Sequence, residues 1–505
     1  MELELRGITK RFPGVVANDD VNLTIRGGEV LALVGENGAG KSTLMNILYG
    51  LYHADEGEIL VDGTPVTFTS PADAIAAGIG MVHQHFMLVP VFTVTENVIL
   101  GVEPTMSLGR VDIASARKRV TELSSEFGLY LNPDAVTEDL AVGIQQRIEI
   151  VKVLFRDAQV VVFDEPTAVL TPQEIEDFFR IVETLKAAGC AVVFITHKLK
   201  EALRIADRIA VLRRGKTVGE TTPAATTQEE LAEMMVGRPV DLVVKKKPAE
   251  PGEVVLAVSD LTVADASGRA MVDHVGFQVA AGEIVGIAGV QGNGQTELVE
   301  TLVGLRRASS GTIMLSGHDV THDTPREHHQ AGVGHIPEDR QRVGMVKDFS
   351  VTENLVLTGY YEPPLSNGLN MNWGEANRVA VQLVENFDIR TPSVETPVGT
   401  LSGGNQQKVI VAREISRPLT LAIACQPTRG VDVGSIEYIH EQLVGLRDQG
   451  IAVLVVSTEL DEVMALSDRV LVMFDGRIVA NLARAATDHN DVGLYMAGAK
   501  EDAAA

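Results

Sequence analysis

A lysine and a serine stand side by side in "GENGAGKST" (35–43), behind glycines at 35, 38 and 40 and directly after the apolar run "VLALV". Glycines at that spacing let consecutive backbone N–H groups curl around an anion, and the helix that follows adds its own N–H groups and dipole. Gly35, Glu36, Asn37, Gly38, Ala39, Gly40, Lys41, Ser42 and Thr43 therefore read as a phosphate cradle. Lys41 would reach the β/γ oxygens, and Ser42 would offer its hydroxyl to Mg²⁺. A strand before and a helix after distinguish this arrangement from a glycine-rich turn that binds nothing.

Farther along, "VVVFDEPTAV" (160–169) ends a short β-branched run on two acids, Asp164 and Glu165. The first carboxylate can hold Mg²⁺ through water, and the second can orient or deprotonate an attacking water. The run "VVFITH" closes on His197. At the carboxyl end of a strand, beside a phosphate crevice, that imidazole suits a γ-phosphate contact better than a core position. Gln84, in "GMVHQHFMLVPVFTVTENV", follows another short apolar run and can supply an amide oxygen to Mg²⁺ or to the lytic water. A metal site on the flanking His83 and His85 is rejected, and His328 and His329 are expected to be surface side chains. Phe12, in "TKRFPG", is a candidate for stacking on a base, or else a core aromatic.

The elements that must position these groups are those of an α/β protein. Short apolar runs alternate with longer amphipathic stretches, as in a parallel sheet flanked by helices. "TPQEIEDFFRIVETLKAAG" (171–189) reads as a helix, with Pro172 early and Gly189 at its end. The chain has 505 residues, too many for one core and suited to two domains. A formal charge of −25 argues against a nucleic-acid partner, because phosphate backbones need a concentrated basic surface. Two cysteines, Cys190 and Cys425, give no disulfide framework or zinc site, and a reducing cytosol is the default. The N-terminus shows no signal-peptide stretch, and the longest apolar runs, such as "IAVLVV" (451–456), are strand-sized.

The chain also repeats itself. "GGEVLALVGENGAGKSTL" (27–44) matches "AGEIVGIAGVQGNGQTEL" (281–298), an offset of 254. "VTEN" recurs at 94–97 and 351–354, and "VGIQQR" (142–147) pairs with "GGNQQK" (403–408). "DEPT" pairs with "CQPT", and "ADRIAVL" (206–212) with "SDRVLVM" (467–473), both at an offset of 261. Blocks kept in order with slowly growing offsets mean a duplicated domain. The expected organisation is a first domain over 1–240, a linker over 241–252, a second domain over 253–496 and a tail over 497–505. Lys245 to Lys247 are expected to be solvated, and "EDAAA" to be a frayed end.

The order of phosphate loop, Gln84, "LSGG"-type segment, acid pair and His197 resembles the ATP-binding cassette (ABC) ATPases, and the resemblance covers both halves. It implies two tandem P-loop cassettes, each with a RecA-like parallel-sheet core, a helical subdomain and a small antiparallel β region. In that family cassettes pair head to tail, and ATP lies between one phosphate loop and the other cassette's signature. Side by side, the copies are complementary. Gln295 stands at the position of Lys41, Thr296 at Ser42, Glu338 at Gln84, Cys425 and Gln426 at Asp164 and Glu165, and Thr458 at His197. No aromatic matches Phe12, where Asp265 or Ala266 falls. The second copy nonetheless keeps "LSGGNQQK" (401–408), in which Ser402, Gly403 and Gly404 can meet a γ-phosphate, whereas the first reads "LAVGIQQR" with Ala141 and Val142. The resemblance thus implies one complete composite site, phosphate loop one with signature two, and one degraded site.

Tandem cassettes with a weakened second loop look most like importers of sugars and nucleosides, and "HQHFMLVPVFTVTENVILG" and "EPTAVLTPQE" are similar to the nucleoside branch. The expectation is an ATP- and Mg²⁺-dependent ATPase, peripheral on the cytoplasmic face of the membrane. It would drive two transmembrane permease subunits supplied by a substrate-binding lipoprotein or periplasmic protein, with a monosaccharide as the alternative cargo. A soluble tandem ATPase acting on ribosomes or DNA is disfavoured by the charge and the cysteine count. A non-hydrolysing scaffold is disfavoured by Lys41, Asp164, Glu165 and His197 occurring together.

Overall fold

The computed structural model describes residues 1–83, 86–106, 109–167, 170, 172–240, 244–265 and 267–500, without the side chains of residues 142, 172 and 173. Gln84, His85, Ala266 and the end segment 501–505 therefore lie outside the described residues, as does the side chain of Val142. Two compact units divide the chain, Met1–Val240 and Asp241–Ala505.

Among the described residues unit 1 contains ten strands: β1 (Glu2–Phe12), β2 (Val15–Arg26), β3 (Val30–Gly35), β4 (Glu56–Val61), β5 (Thr64–Val66), β6 (Ile79–Val82), β7 (Val160–Asp164), β8 (Ala191–Thr196), β9 (Arg208–Arg213) and β10 (Lys216–Thr221). They form a four-stranded sheet, β2-β1-β4-β5, and a six-stranded sheet, β10-β9-β3-β8-β7-β6. The smaller sheet is antiparallel. The larger one is parallel except at its β10 edge.

Continuous apolar runs fill the parallel strands because both faces of that sheet are covered. In β7, Val160 and Val162 join one buried cluster, with Leu31, Leu33, Leu44 and Met45. The alternate residues Val161 and Phe163 join the other, with Phe178, Val182 and Phe194. This period-2 division explains why "VVVFD" shows no polar alternation. Helix α1 (Lys41–Leu48) follows the glycine loop, α2 (Val142–Phe155) lies between β6 and β7, and α3 (Pro172–Ala187) lies between β7 and β8. Gly189 ends the α3 region with φ 89°, which a side chain would resist.

Unit 2 repeats the plan with β11 (Val254–Ala264), β12 (Ala270–Ala280), β13 (Ile284–Ala288), β14 (Ser310–Leu315), β15 (His318–Asp319), β16 (Val333–Ile336), β17 (Leu421–Cys425), β18 (Ala452–Ser457), β19 (Arg469–Phe474) and β20 (Arg477–Ala483). Its sheets run β12-β11-β14-β15 and β16-β17-β18-β13-β19-β20, the same topology as in unit 1. Helix α4 (Gln295–Leu302) takes the place of α1, and α5 (Gly403–Ile415) that of α2. Among the described residues no helix is long and apolar enough to cross a membrane.

Two expectations are corrected. Lys246 is not solvated: its ammonium donates to the carbonyls of Leu466 and Ser467, both at 2.6 Å, and to Asp468 at 2.9 Å. The helix Leu460–Leu466 ends there, and its last carbonyls form a negative end that a cation satisfies. His328 and His329 are not surface side chains either. His328 is 2% exposed, and His329 is half-buried, with its Nδ1 3.2 Å from the Tyr361 hydroxyl. The close approach of Gly304 makes room for the His328 ring, since a Cβ on that glycine would lie 2.8 Å from His328 Cδ2.

Candidate active site

The glycine loop of unit 1 turns from β3 into α1. Gly40 adopts φ 100°, and a Cβ there would overlap the Ala17 carbonyl oxygen and lie 2.7 Å from Asn18 Nδ2. Gly38 also has positive φ, 80°, but has open space around it. One glycine is thus required by both conformation and contact, the other by conformation alone. Asn18 secures the turn by donating to the Gly40 carbonyl at 3.1 Å.

Lys41, at the start of α1, is 6% exposed, and its ammonium folds back to donate to the carbonyls of Gly35 (2.7 Å) and Glu36 (3.0 Å). Burial lowers its pKa, against the opposing pull of Glu165, Asp164 and Glu36. Asp164 closes β7, on the side of the loop that carries Lys41 and Ser42. Burial, then the neighbouring Glu165 charge, pushes its carboxyl above the usual range, with Lys41 and Ser42 resisting.

Glu165 has φ 47°, in the left-handed region, and its amide donates to the Ile195 carbonyl at 3.0 Å. That backbone turns the carboxylate toward the end of β8, where Oε1 lies 2.9 Å from His197 Nδ1. Burial pushes Glu165 up, but the hydrogen bond and charge of His197, with Lys41 and Lys198, outweigh it and leave the group lowered. Adjacent acids are therefore displaced in opposite directions by their surroundings.

Four of the residues singled out by sequence, Lys41, Ser42, Asp164 and Glu165, thus meet with His197 at the carboxyl ends of β3, β7 and β8. Phe12, at the end of β1, is 38% exposed and edge-on to Tyr52 at 5.6 Å. A supporting set escaped the sequence reading. Glu201 accepts from Thr167 (2.6 Å) and Thr196 (3.5 Å), tying the turn after β7 to β8, and Gln146 on α2 donates to the Pro166 carbonyl at 2.9 Å. The duplication carried the signal, because Thr428–Glu462 (2.6 Å) and Gln407–Pro427 (2.8 Å) repeat both contacts.

In unit 2 the same construction holds different chemistry. Gly292 (φ 92°) and Gly294 (φ 96°) keep the loop conformation. Gln295 makes one bond, to the Val290 carbonyl at 3.1 Å, in place of the two made by Lys41. Cys425 is buried, and burial raises its thiol pKa so that it stays protonated. Gln426 repeats the left-handed backbone (φ 45°) and donates to Thr458 at 3.1 Å, an amide–hydroxyl copy of the Glu165–His197 pair.

The signature segments differ in the reverse sense. Ser402 caps α5, its hydroxyl accepting from the Asn405 amide side chain at 2.8 Å and from the Asn405 backbone N–H. Gly403 and Gly404 begin the helix, and a Cβ on Gly404 would overlap Asp432. Ala141 begins α2 without a side-chain cap.

Cation and carboxylates gathered at the carboxyl ends of parallel strands, beside a glycine loop, define a phosphate-loop ATPase in unit 1, and unit 2 repeats the fold without those side chains. The chain belongs to the ABC transporter family, whose sequence profile matches residues 18–168 and 272–429. Among its relatives is the nucleoside import ATP-binding protein NupA of Lactococcus lactis subsp. cremoris (strain MG1363), 49% identical over 496 residues and spanning 98% of each chain. Another is the guanosine import ATP-binding protein NupO of Bacillus subtilis (strain 168), 50% identical over 499 residues, covering 99% of this chain and 98% of the relative. An archaeal ribosome recycling factor, aABCE1, solved with the stalk protein aP1, shares the fold with a TM-score of 0.61 at 20% identity, over 94% of this chain and 90% of that one.

Proposed function

We propose that this chain is the ATP-hydrolysing subunit of a nucleoside importer, acting at the cytoplasmic face of the membrane on two transmembrane permease subunits supplied by a substrate-binding protein. The observation that carries the catalytic part is the 2.9 Å contact holding Glu165 on His197 beside the Lys41 loop. The nucleoside cargo is supported by the full-length similarity to NupA and NupO.

In this reading the loop N–H groups and Lys41 bind the β- and γ-phosphates, and Phe12 stacks on the base. Glu165, depressed by His197, stays ionised and takes the proton of the attacking water. With Nδ1 on Glu165, His197 has Nε2 left for the γ-phosphate. The oxygen donors Ser42 and Asp164, a hydroxyl and a carboxylate beside the Lys41 loop, fit a hard cation, with Gln84 as a further ligand. Mg²⁺ bound there supplies charge neutralisation across the phosphates. The signature that completes this site is that of Ser402, Gly403 and Gly404, because each intact part in one unit is matched by a defective one in the other. Hydrolysis is accordingly expected once per cycle, at the Lys41 loop.

The test is radiolabelled purine-nucleoside uptake in a strain lacking this chain, complemented with the unaltered, Lys41→Ala or Glu165→Gln protein. Only the unaltered chain should restore uptake, while Glu165→Gln should retain ATP binding in the purified complex. Restored ribose or galactose uptake without nucleoside uptake would overturn the cargo. Near-normal turnover by Glu165→Gln would overturn the catalytic assignment.

A further inference from the structure

Unit 2 aligns Thr296, Glu338 and Cys425 with the proposed metal-binding positions Ser42, Gln84 and Asp164, and these three do not fit a divalent cation. The Thr296 hydroxyl donates to Glu338 Oε2 at 3.2 Å, and the other carboxylate oxygen, Oε1, accepts from Arg429 Nη1 at 2.7 Å. Both oxygens are thus engaged, one of them by a full positive charge. The third position offers a buried thiol, a soft donor that a hard cation does not seek.

Arg429 is held in this arrangement from behind. Arg340 donates to the Arg429 carbonyl at 2.7 Å and to the Gly430 carbonyl at 3.1 Å, fixing the turn that carries the guanidinium. The glycine loop beside the cluster keeps its backbone, with Gly292 and Gly294 in the same left-handed conformation as Gly38 and Gly40. Unit 1 has Ala168 where unit 2 has Arg429, so the fixed cation is specific to the second copy.

We infer that unit 2 takes no divalent cation at its glycine loop, and that the Arg429 guanidinium, held on Glu338, is a built-in cation standing in the metal's place. The inference rests on the proposed function for the alignment of metal positions, and its physical content is competition for one carboxylate. The Arg429 guanidinium, its side chain 52% exposed, competes with a dication for Glu338, and the protein supplies from its own chain a charge that unit 1 must recruit. Removing Arg429 frees a carboxylate beside a hydroxyl, the pair of donor types that a hard cation uses.

The experiment measures Mn²⁺ bound per full-length chain, by loss of the free-ion electron paramagnetic resonance signal, in the presence of a non-hydrolysable ATP analogue. The unaltered chain should bind one ion, lost in Asp164→Asn. Arg429→Ala should bind one ion more than its parent, and adding Glu338→Gln to Arg429→Ala should remove the gain. Two ions in the unaltered chain, an ion retained in Asp164→Asn, or no gain in Arg429→Ala would overturn the inference. The decisive readout is the difference between Arg429→Ala and its parent. A chain whose Lys41 loop takes no metal, a failure of the proposed function, therefore still tests the clamp.

Discussion

Replacing His197 with alanine isolates the contact that orients Glu165. The two groups meet at 2.9 Å with side chains only 26% and 16% exposed, so solvent screens the pair weakly. A hydrogen bond to a charged group contributes about 1.5–3 kcal/mol. At about 1.4 kcal/mol per tenfold in rate, losing the orientation alone should slow hydrolysis roughly 10- to 100-fold. Loss of a γ-phosphate contact from the same ring would carry the effect toward the ~10²–10³ typical of removing one charge-stabilising donor.

The pH profile separates orientation from general damage. Burial alone would raise the Glu165 carboxyl, and His197 is the leading cause of its net lowering. Without the imidazole the pKa rises, so a smaller fraction of Glu165 is ionised in mildly acid solution. A base must be ionised to accept a proton, and the acid limb of the kcat profile therefore moves to higher pH. The assay is steady-state phosphate release by the chain assembled with its permeases, measured from acid to alkaline pH. An acid limb that stays in place, or a rate within twofold of the unaltered chain, would refute the reasoning.

Gly40→Ala should lower thermal stability by roughly 2–5 kcal/mol, combining left-handed strain with overlap on Ala17, whereas Gly38→Ala should cost about 1–2 kcal/mol from strain alone; calorimetry distinguishes the two. Phe194→Ala empties a fully buried position between Phe178 and Phe179 and should cost about 3–5 kcal/mol by chemical denaturation. Ser402→Ala removes the α5 cap, at about 1 kcal/mol, and should also impair hydrolysis at the Lys41 loop, while Ala141→Ser should leave turnover nearly unchanged. Gln426→Glu should create no second hydrolytic site, because Gln295 and Thr458 remain; two nucleotides hydrolysed per chain in single-turnover analysis would contradict this.

Much of the framework was legible because it is written locally. Apolar runs such as 160–163 and 191–195 specify strands buried on both faces, and the phosphate loop declares itself through glycine spacing. The repeat was legible for the same reason: each copy needs the same alternating core residues to build the same sheet order. What escaped depends on partners far apart in sequence. Lys246 reads as part of a solvated triplet until the end of the helix Leu460–Leu466 is brought beside it. His328 reads as exposed until Gly304 leaves room for its ring. Neither neighbour lies within the window over which periodicity carries information.

Glu338 shows the deeper limit. Position by position it replaces an amide with a carboxylate and so looks like an improved metal ligand, since a charged oxygen usually attracts a cation better than a neutral one. The contact with Arg429, 91 residues away, reverses that conclusion, because the carboxylate's charge is already answered. Sequence comparison of the two copies reveals which residues changed, but the sign of a change is set by what the new side chain meets. In unit 2 the loop glycines, the left-handed residue after β17 and the Thr428–Glu462 brace are all retained. Retention of so much backbone geometry argues against simple decay of an idle copy, which would be free to lose its strained turns. It fits a unit still required to present the Ser402 signature on an ordered scaffold.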